Sequence, residues 1–354
     1  VPSPLNSQGS EVATRVMSHA TAPHAEALGA HLEPITAARV TATLDMGTCI
    51  DLMRAALTAL GTGQARQMLR PVLPLHGRNV LGMMPAHDQV AKVAGVKVLS
   101  VYPENSQHGR ASHQGVILLF DTDTGALKAI VDAEAITAIR TAAASAAATD
   151  VLARLDASNL AILGTGVQAR QHLRAMAHIR DLRTVTVWDR NTARAEAFAT
   201  DALTETGLTV TTCSTVAEAT ANADIICTVT AATEPIIRAA DVKKGAHVNA
   251  VGSCTPDARE LAGDLVATGS LYVDWRPAAV KEAGDILLAI REGAIIESHI
   301  LGEVGSVIAG NVVGRTDRDE ITIFESLGQA VQDLLAANHV ADALHGDSRE
   351  GQTS

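Results

Sequence analysis

The sequence predicts an α/β protein in which a Rossmann-type, doubly wound parallel sheet is inserted into a second α+β domain. Three observations carry that prediction. From Leu160 onward, apolar strand runs alternate with helical patterns, and regular βαβ alternation implies a parallel sheet covered on both faces. Between residues 70 and 129 the texture is different: short apolar runs separated by turn residues, the pattern of antiparallel strands. Finally, 47 % of the 354 residues are apolar against 19 % charged, which suits a large core divided between two domains.

The first thirty or so residues are rich in Ser, Thr, Pro, Ala and His without periodicity, so 1–34 is expected to be a disordered leader. His19, His24 and His31 in it read as a solvated tail. Met46, Cys49, Ile50, Met53, Leu57 and Leu60 then follow helical spacing, with Asp45 as N-cap and Gly61 as stop. Strands are expected at 80–84, 95–101 and 116–120, the last followed by a turn at 121–125. A helical stretch at 133–155 carries the small-residue run 141–149, which permits close helix packing. The parallel strands fall at 160–163, 185–188, 225–230, 247–251 and 271–274. Beyond Asp285 the pattern becomes helical again, and 321–335 is expected to rejoin the first domain. The expected division is thus 35–140 plus 321–350 for substrate binding and dimerisation, and 141–320 for a dinucleotide.

Charge and composition exclude several classes of function. With 28 Lys and Arg against 39 Asp and Glu, the net charge of −11 argues against a nucleic-acid partner. Mean hydropathy is +0.16, yet no run of about 18 residues lacks a charge or strongly polar group, so no spanning helix is expected. Aromatics make up only 2 %, too few for stacking platforms. Cys49, Cys213, Cys227 and Cys254 are widely spaced and form no CxxC pair, which suits a reducing compartment. The start has no basic and apolar export signal, and a cytoplasmic location is expected. His108 and His113 flank a loop rather than sharing a helix face, and there is neither an HExxH nor a GxSxG motif; no metal is expected.

The sharpest chemical signal is Ala161-Ile-Leu-Gly164-Thr-Gly166-Val-Gln168-Ala169. An apolar strand runs into G-x-G-x-x-A and a helical pattern follows at once. Gly164 allows the tight turn, Gly166 lets backbone approach a pyrophosphate, and the helix N-terminus attracts the anion. The next strand ends at Asp189, where a carboxylate can accept hydrogen bonds from a ribose 2′-hydroxyl and repel a 2′-phosphate. NAD(H) is therefore favoured over NADP(H), with Arg190 and Arg194 close enough to oppose that preference. A nicotinamide needs a substrate beside it, and Arg70, Lys97 and Arg140 are the candidates for anchoring an acid. Lys97 interrupts the apolar run Gly95-Val-Lys-Val-Leu, where a buried ammonium needs a partner such as a substrate carboxylate. Arg140 opens the small-residue run next to the nucleotide domain. Each can equally serve a structural ion pair or lie at the surface.

At these residues the chain resembles the ornithine cyclodeaminase/mu-crystallin family, over about 35–335. The resemblance rests on Ser112-His-Gln-Gly-Val-Ile-Leu-Leu-Phe120, Ile139-Arg-Thr-Ala-Ala-Ala-Ser145, the glycine turn, Ala232-Thr-Glu-Pro-Ile236, Val248-Asn-Ala-Val-Gly-Ser-Cys-Thr-Pro-Asp257, Lys281-Glu-Ala-Gly-Asp285 and Phe324-Glu-Ser-Leu-Gly328. The Ser112-His-Gln and Thr-Pro-Asp details are closer to the ketimine-reductase branch. The resemblance implies that Arg70, Lys97 and Arg140 hold a substrate carboxylate, with Ser112 and Cys254 lining the pocket and Lys97 and Arg140 at the chemistry. It also implies cofactor contacts at Gly164, Gly166, Val167, Gln168, Asp189, Arg190, Thr230, Val251 and Ser326, and a homodimer.

One departure bears on the reaction. Where cyclodeaminases carry an essential Asp after the Val-Gly-x segment, this chain has Cys254, and Pro256-Asp257-Ala258 replaces their Pro-Gly-Lys. A thiol with a pKa near about 8.5 is mostly protonated at neutral pH and cannot act as a carboxylate base. The resemblance therefore implies an NAD(P)H-dependent reductase of α-imino acids such as Δ1-pyrroline- or Δ1-piperideine-2-carboxylate. The competing readings are an open-chain, alanine-type amino-acid dehydrogenase, an ornithine cyclodeaminase and a non-catalytic dinucleotide-dependent binding protein.

Overall fold

Two sheets of opposite character organise the chain. The computed structural model describes residues 32–350; His19, His24, His31 and nearly all of the expected leader lie outside the described residues. Helices α1 (Ala37–Thr43) and α2 (Met46–Gly61) come first. As expected, Asp45 caps α2, its Oδ1 accepting from Thr48 N at 2.9 Å.

Strands β1 (Ala65–Gln67), β2 (Val72–Pro74), β3 (Val80–Asp88), β4 (Val93–Val101), β5 (His113–Asp121) and β6 (Leu127–Asp132) form an antiparallel sheet. Its order is β1-β3-β4-β5-β6, with β2 also on β3. The strands run longer than their apolar cores suggest. β3 continues through Pro85, which can donate no ladder hydrogen bond. On that side Pro85 falls between the residues paired with β2 (80–82) and those paired with β1 (86–88). The three-residue strands β1 and β2 are too short to announce themselves by alternation.

Helix α3 (Ala133–Leu152), capped by Asp132, leads into the second sheet. Its run 141–149 is buried throughout, and the small side chains admit α2 on one side and the later helix at 167–179 on the other. Ser145 and Thr149 within the run are hydrogen-bonded by His172 Nε2 at 2.9 Å and Asn249 Nδ2 at 3.0 Å, so burial leaves neither hydroxyl orphaned.

The remaining elements are β7 (Asn159–Leu163), α4 (Val167–Ile179), β8 (Thr184–Trp188), α5 (Thr192–Thr206), β9 (Val210–Thr212), α6 (Val216–Thr220), β10 (Ile225–Thr228), β11 (His247–Ala250), α7 (Gly263–Thr268), β12 (Ser270–Val273), α8 (Arg276–Glu282), α9 (Gly284–Arg291), β13 (Ile300–Glu303), α10 (Val304–Ile308), β14 (Thr322–Glu325) and α11 (Ala330–Glu350). Their strands make one all-parallel sheet in the order β13-β12-β14-β11-β10-β7-β8-β9. β10, β11 and β14 are buried along their whole length, as strands covered on both faces must be.

The stretch after Asp285 needs correction. It is not uniformly helical, because β13 and β14 lie in it; four residues are too few for periodicity to separate strand from helix. β14 inserts between β12 and β11, so the chain from 321 first completes the parallel sheet. Only α11 returns to the antiparallel sheet, packing on β3, β4 and β5. No helix among the described residues is long and apolar enough to cross a membrane.

Candidate active site

The pleat of β4 turns Lys97 inward, where it is 5 % exposed and lies opposite Met84 and Ile117. Its Nζ donates to Thr137 Oγ1 on α3 at 2.6 Å and to Asp333 Oδ1 on α11 at 3.1 Å. Arg140, one turn beyond Thr137, donates from Nε to the same Asp333 oxygen at 2.9 Å and from Nη1 to Gln332 Oε1 at 3.4 Å. One carboxylate thus serves two cations. Asp333 is fully buried, and its Oδ2 has no hydrogen-bond partner among the described residues. Burial alone would raise its pKa, but Arg140 and then Lys97 outweigh burial and hold the carboxyl below its ordinary value. Burial pulls Lys97 down to about 8 against the opposing pull of Asp333, with Arg140 lowering it further.

The segment after β14 closes the cluster. Gly328 takes φ +75°, and a Cβ there would sit 2.5 Å from Arg140 Nη1 and 2.8 Å from Nη2. Asp274, just past β12, accepts from Leu327 N at 2.8 Å and Gly328 N at 2.9 Å; burial pushes its carboxyl up to about 6. Arg70 Nη2 donates to the Leu327 and Gly328 carbonyls, both at 3.3 Å, and lies 3.9 Å from Glu282 on α8. Cys254 Sγ is 3.7 Å from the Leu327 carbonyl, and burial raises its thiol further above neutrality. Arg70, Arg140 and Cys254 therefore converge on 327–328, and Lys97 joins them through the Asp333 oxygen that it shares with Arg140. The Ser112 hydroxyl lies 3.0 Å from His113 Nδ1, in the approach to β5, and His113 feels the charges of Lys97 and Arg70.

The glycine turn has the shape that a pyrophosphate requires. Gly164 takes φ +111°, and a Cβ there would meet the Val229 carbonyl at 2.9 Å. Gly166 is exposed, is the N-cap of α4 and would have nothing within 4 Å of an added Cβ, so the first amides of α4 are open to an anion. Val167 beside it is 61 % exposed. Asp189 directly follows β8, with Thr165 Oγ1 on one oxygen at 2.6 Å and Asn191 N on the other at 2.9 Å; Arg190 next to it is exposed. Thr230 is held through its amide and hydroxyl by Glu260 Oε1, both at 2.6 Å. Val251 and Ser326 follow β11 and β14 at the carboxyl edge of the sheet, and Ser326 Oγ is buried with no partner among the described residues. Gln168 joins the two halves of the site: its Nε2 donates to the Thr137 carbonyl at 3.5 Å, and the Thr137 hydroxyl accepts from Lys97. These residues fit a dinucleotide laid across the sheet edge with its far end beside the cationic cluster.

Sequence reasoning missed Asp333, Thr137, Asp274 and Glu282. Asp333 left one signal, an acid directly before the apolar stretch Leu334 to Ala337 of a helix buried there on all sides.

A glycine turn, an acid-tipped second strand and a cationic clamp at the carboxyl edge of the parallel sheet define a dinucleotide-dependent oxidoreductase. The chain belongs to the ornithine cyclodeaminase/mu-crystallin family, whose model matches residues 34–348. It is 42 % identical over 282 residues to ketimine reductase mu-crystallin of Mus musculus, covering 79 % of this chain and 86 % of that one. The structure of Thermococcus litoralis Delta(1)-pyrroline-2-carboxylate reductase in complex with NADH and L-proline matches with a TM-score of 0.85 and 35 % identity, over 88 % of this chain and 98 % of that one. An archaeal alanine dehydrogenase dimer with bound NAD matches with a TM-score of 0.84 and 29 % identity, over 88 % and 96 %.

Proposed function

We propose that the protein is an NAD(P)H-dependent reductase of α-imino acids. Cyclic ketimines such as Δ1-pyrroline-2-carboxylate or Δ1-piperideine-2-carboxylate would be reduced to L-amino acids. The observation that carries this reading is the sharing of Asp333 by Lys97 and Arg140. With Arg70 facing Glu282 at 3.9 Å, the other two cations share one carboxylate and leave one positive charge unmatched, the complement of a substrate carrying one carboxylate. Bound nicotinamide supplies the hydride for the C=N carbon. Arg140 and Arg70 hold and orient the carboxylate and Lys97 completes the clamp, which places that carbon in a near-attack arrangement. Lys97, brought down to about 8, holds a proton at Nζ that it can give up near neutral pH to the nitrogen that becomes the amine. The protonated thiol of Cys254 walls the pocket and cannot replace a carboxylate base, which disfavours cyclodeaminase chemistry.

The likeness to a Delta(1)-pyrroline-2-carboxylate reductase bound to NADH and L-proline supports this reading. Asp189 favours NAD(H) over NADP(H), because its carboxylate would face a 2′-phosphate. The clamp draws on residues 35–140 and α11, and the cofactor on the elements between them. The outward face of the antiparallel sheet fits a homodimer: Met83, Val98 and Val116 stand in register across three strands, and Met83 is 42 % and Val116 39 % exposed. Likeness to the alanine dehydrogenase keeps an open-chain reading in play. NADH oxidation with cyclic ketimines and with oxo acids, each with and without ammonia, separates the two. Turnover of ketimines without ammonia is expected, and turnover only of oxo acids with ammonia would overturn the proposal.

A further inference from the structure

We propose that Asp333 is a positioning residue that keeps the Lys97 ammonium charged and aligned while limiting the clamp to one unmatched positive charge. This deepens the reading of the site as a carboxylate clamp and rests on it. Asp333 reaches the cluster from α11, the element that returns to the antiparallel sheet after the dinucleotide-binding elements. Its Oδ1 accepts from Lys97 Nζ at 3.1 Å and Arg140 Nε at 2.9 Å, from β4 and α3 respectively. Those two bonds fix the angle between the cations, and Thr137 fixes Lys97 from a second direction at 2.6 Å.

The charges around Lys97 are otherwise unfavourable to an ammonium. Arg140 on α3 and Arg70 ahead of β2 both act on it, and His113 at the start of β5 lies within reach of the Lys97 and Arg70 charges. Asp333 is the anion that opposes them, with neither oxygen open to solvent. Burial makes that opposition strong, because a charge pair in a low-dielectric interior is little screened. Removing the anion while keeping the shape should make Lys97 shed its proton at lower pH, because Asp333 acts through the two cations that it bonds.

The test is Asp333→Asn in the full chain, with Asp333→Glu as the conservative rescue, read in two ways. In protein carrying ε-13C-lysine, the Lys97 resonance should titrate about one pH unit or more lower in Asp333→Asn than in the wild type, and Asp333→Glu should restore most of the difference. In ketimine reduction the alkaline fall of kcat/KM should move by the same amount while NADH affinity stays within about twofold. Should Asp333→Asn fail to fold, Asp333→Ser, which also lacks the charge, must lower the Lys97 titration in its place. A Lys97 titration that neither substitution moves would overturn the assignment of Asp333. A shifted titration in a protein that reduces no ketimine would overturn the proposed reaction and leave the role of Asp333 standing.

Discussion

The Arg140 guanidinium lies against the α-carbon of Gly328, so close that a methyl group there would come within 2.5 Å of Nη1. The guanidinium cannot retreat freely, because Asp333 holds its Nε at 2.9 Å. Gly328 also has φ +75°, a region costly for a residue with a Cβ. Gly328→Ala is therefore expected to lower stability by ~1–3 kcal/mol and kcat/KM by about tenfold or more. Denaturant melts and steady-state kinetics check the two parts. Loss of stability with undiminished kcat/KM would show that Arg140 is not held by this contact.

A second expectation concerns pH. Asp285 at the start of α9 is buried; its Oδ1 accepts from Glu260 N and Leu261 N, and its Oδ2 has no partner among the described residues. Burial, reinforced by Glu260, pushes it up to about 7. A folded-state pKa above the unfolded value of about 3.9 means that the folded state binds the proton more tightly. Its contribution to stability is complete below pH ~4 and is lost as pH rises through about 7, at up to ~1.4 kcal/mol per pH unit. In Asp285→Asn an amide N–H occupies the orphaned position and that dependence disappears. The variant should gain stability relative to the wild type between pH 5 and 8 in urea titrations; parallel pH profiles would contradict the assignment.

Asp189 makes a separate prediction about cofactor choice. Replacing it by Ala removes the charge that faces a 2′-phosphate and leaves Arg190 unopposed. The ratio of kcat/KM with NADPH to that with NADH is expected to rise by about tenfold or more. An unchanged ratio would move the source of discrimination elsewhere.

On the outer face of the antiparallel sheet, Val98 stands between Met83 and Val116. A charge at its centre, Val98→Glu, would be buried without a partner in a dimer and solvated in a monomer. Sedimentation should show a dimer for the wild type and a monomer or a sharply weakened dimer for the variant. Identical sedimentation would place the interface elsewhere or exclude one.

Much of this arrangement was legible in the sequence because its signals are local. The glycine turn, Asp189 and the Asp45 cap each depend on neighbours within a few residues or on the next strand. Lys97 was legible as an anomaly, a charge inside an apolar strand, and Arg70 and Arg140 as candidate anchors to which the family resemblance gave a role. What stayed hidden was long-range. Asp333 meets Lys97 across 236 positions of chain, and no periodicity reports which helix packs on which strand. β14 was hidden for a related reason: four buried residues look alike in a strand and in a helix until their neighbours β11 and β12 are known.

The central claim is that Lys97 and Arg140 recognise one substrate carboxylate. The direct measurement is kcat/KM with NADH for Δ1-pyrroline-2-carboxylate and for Δ1-pyrroline, which lacks the carboxylate, in the wild type and in Arg140→Ala and Lys97→Ala. The wild type should prefer the carboxylated imine by about 100-fold or more, ~3 kcal/mol. In either variant that preference should collapse to within about tenfold while NADH still binds. Equal losses on both imines, with the preference intact, would contradict the clamp.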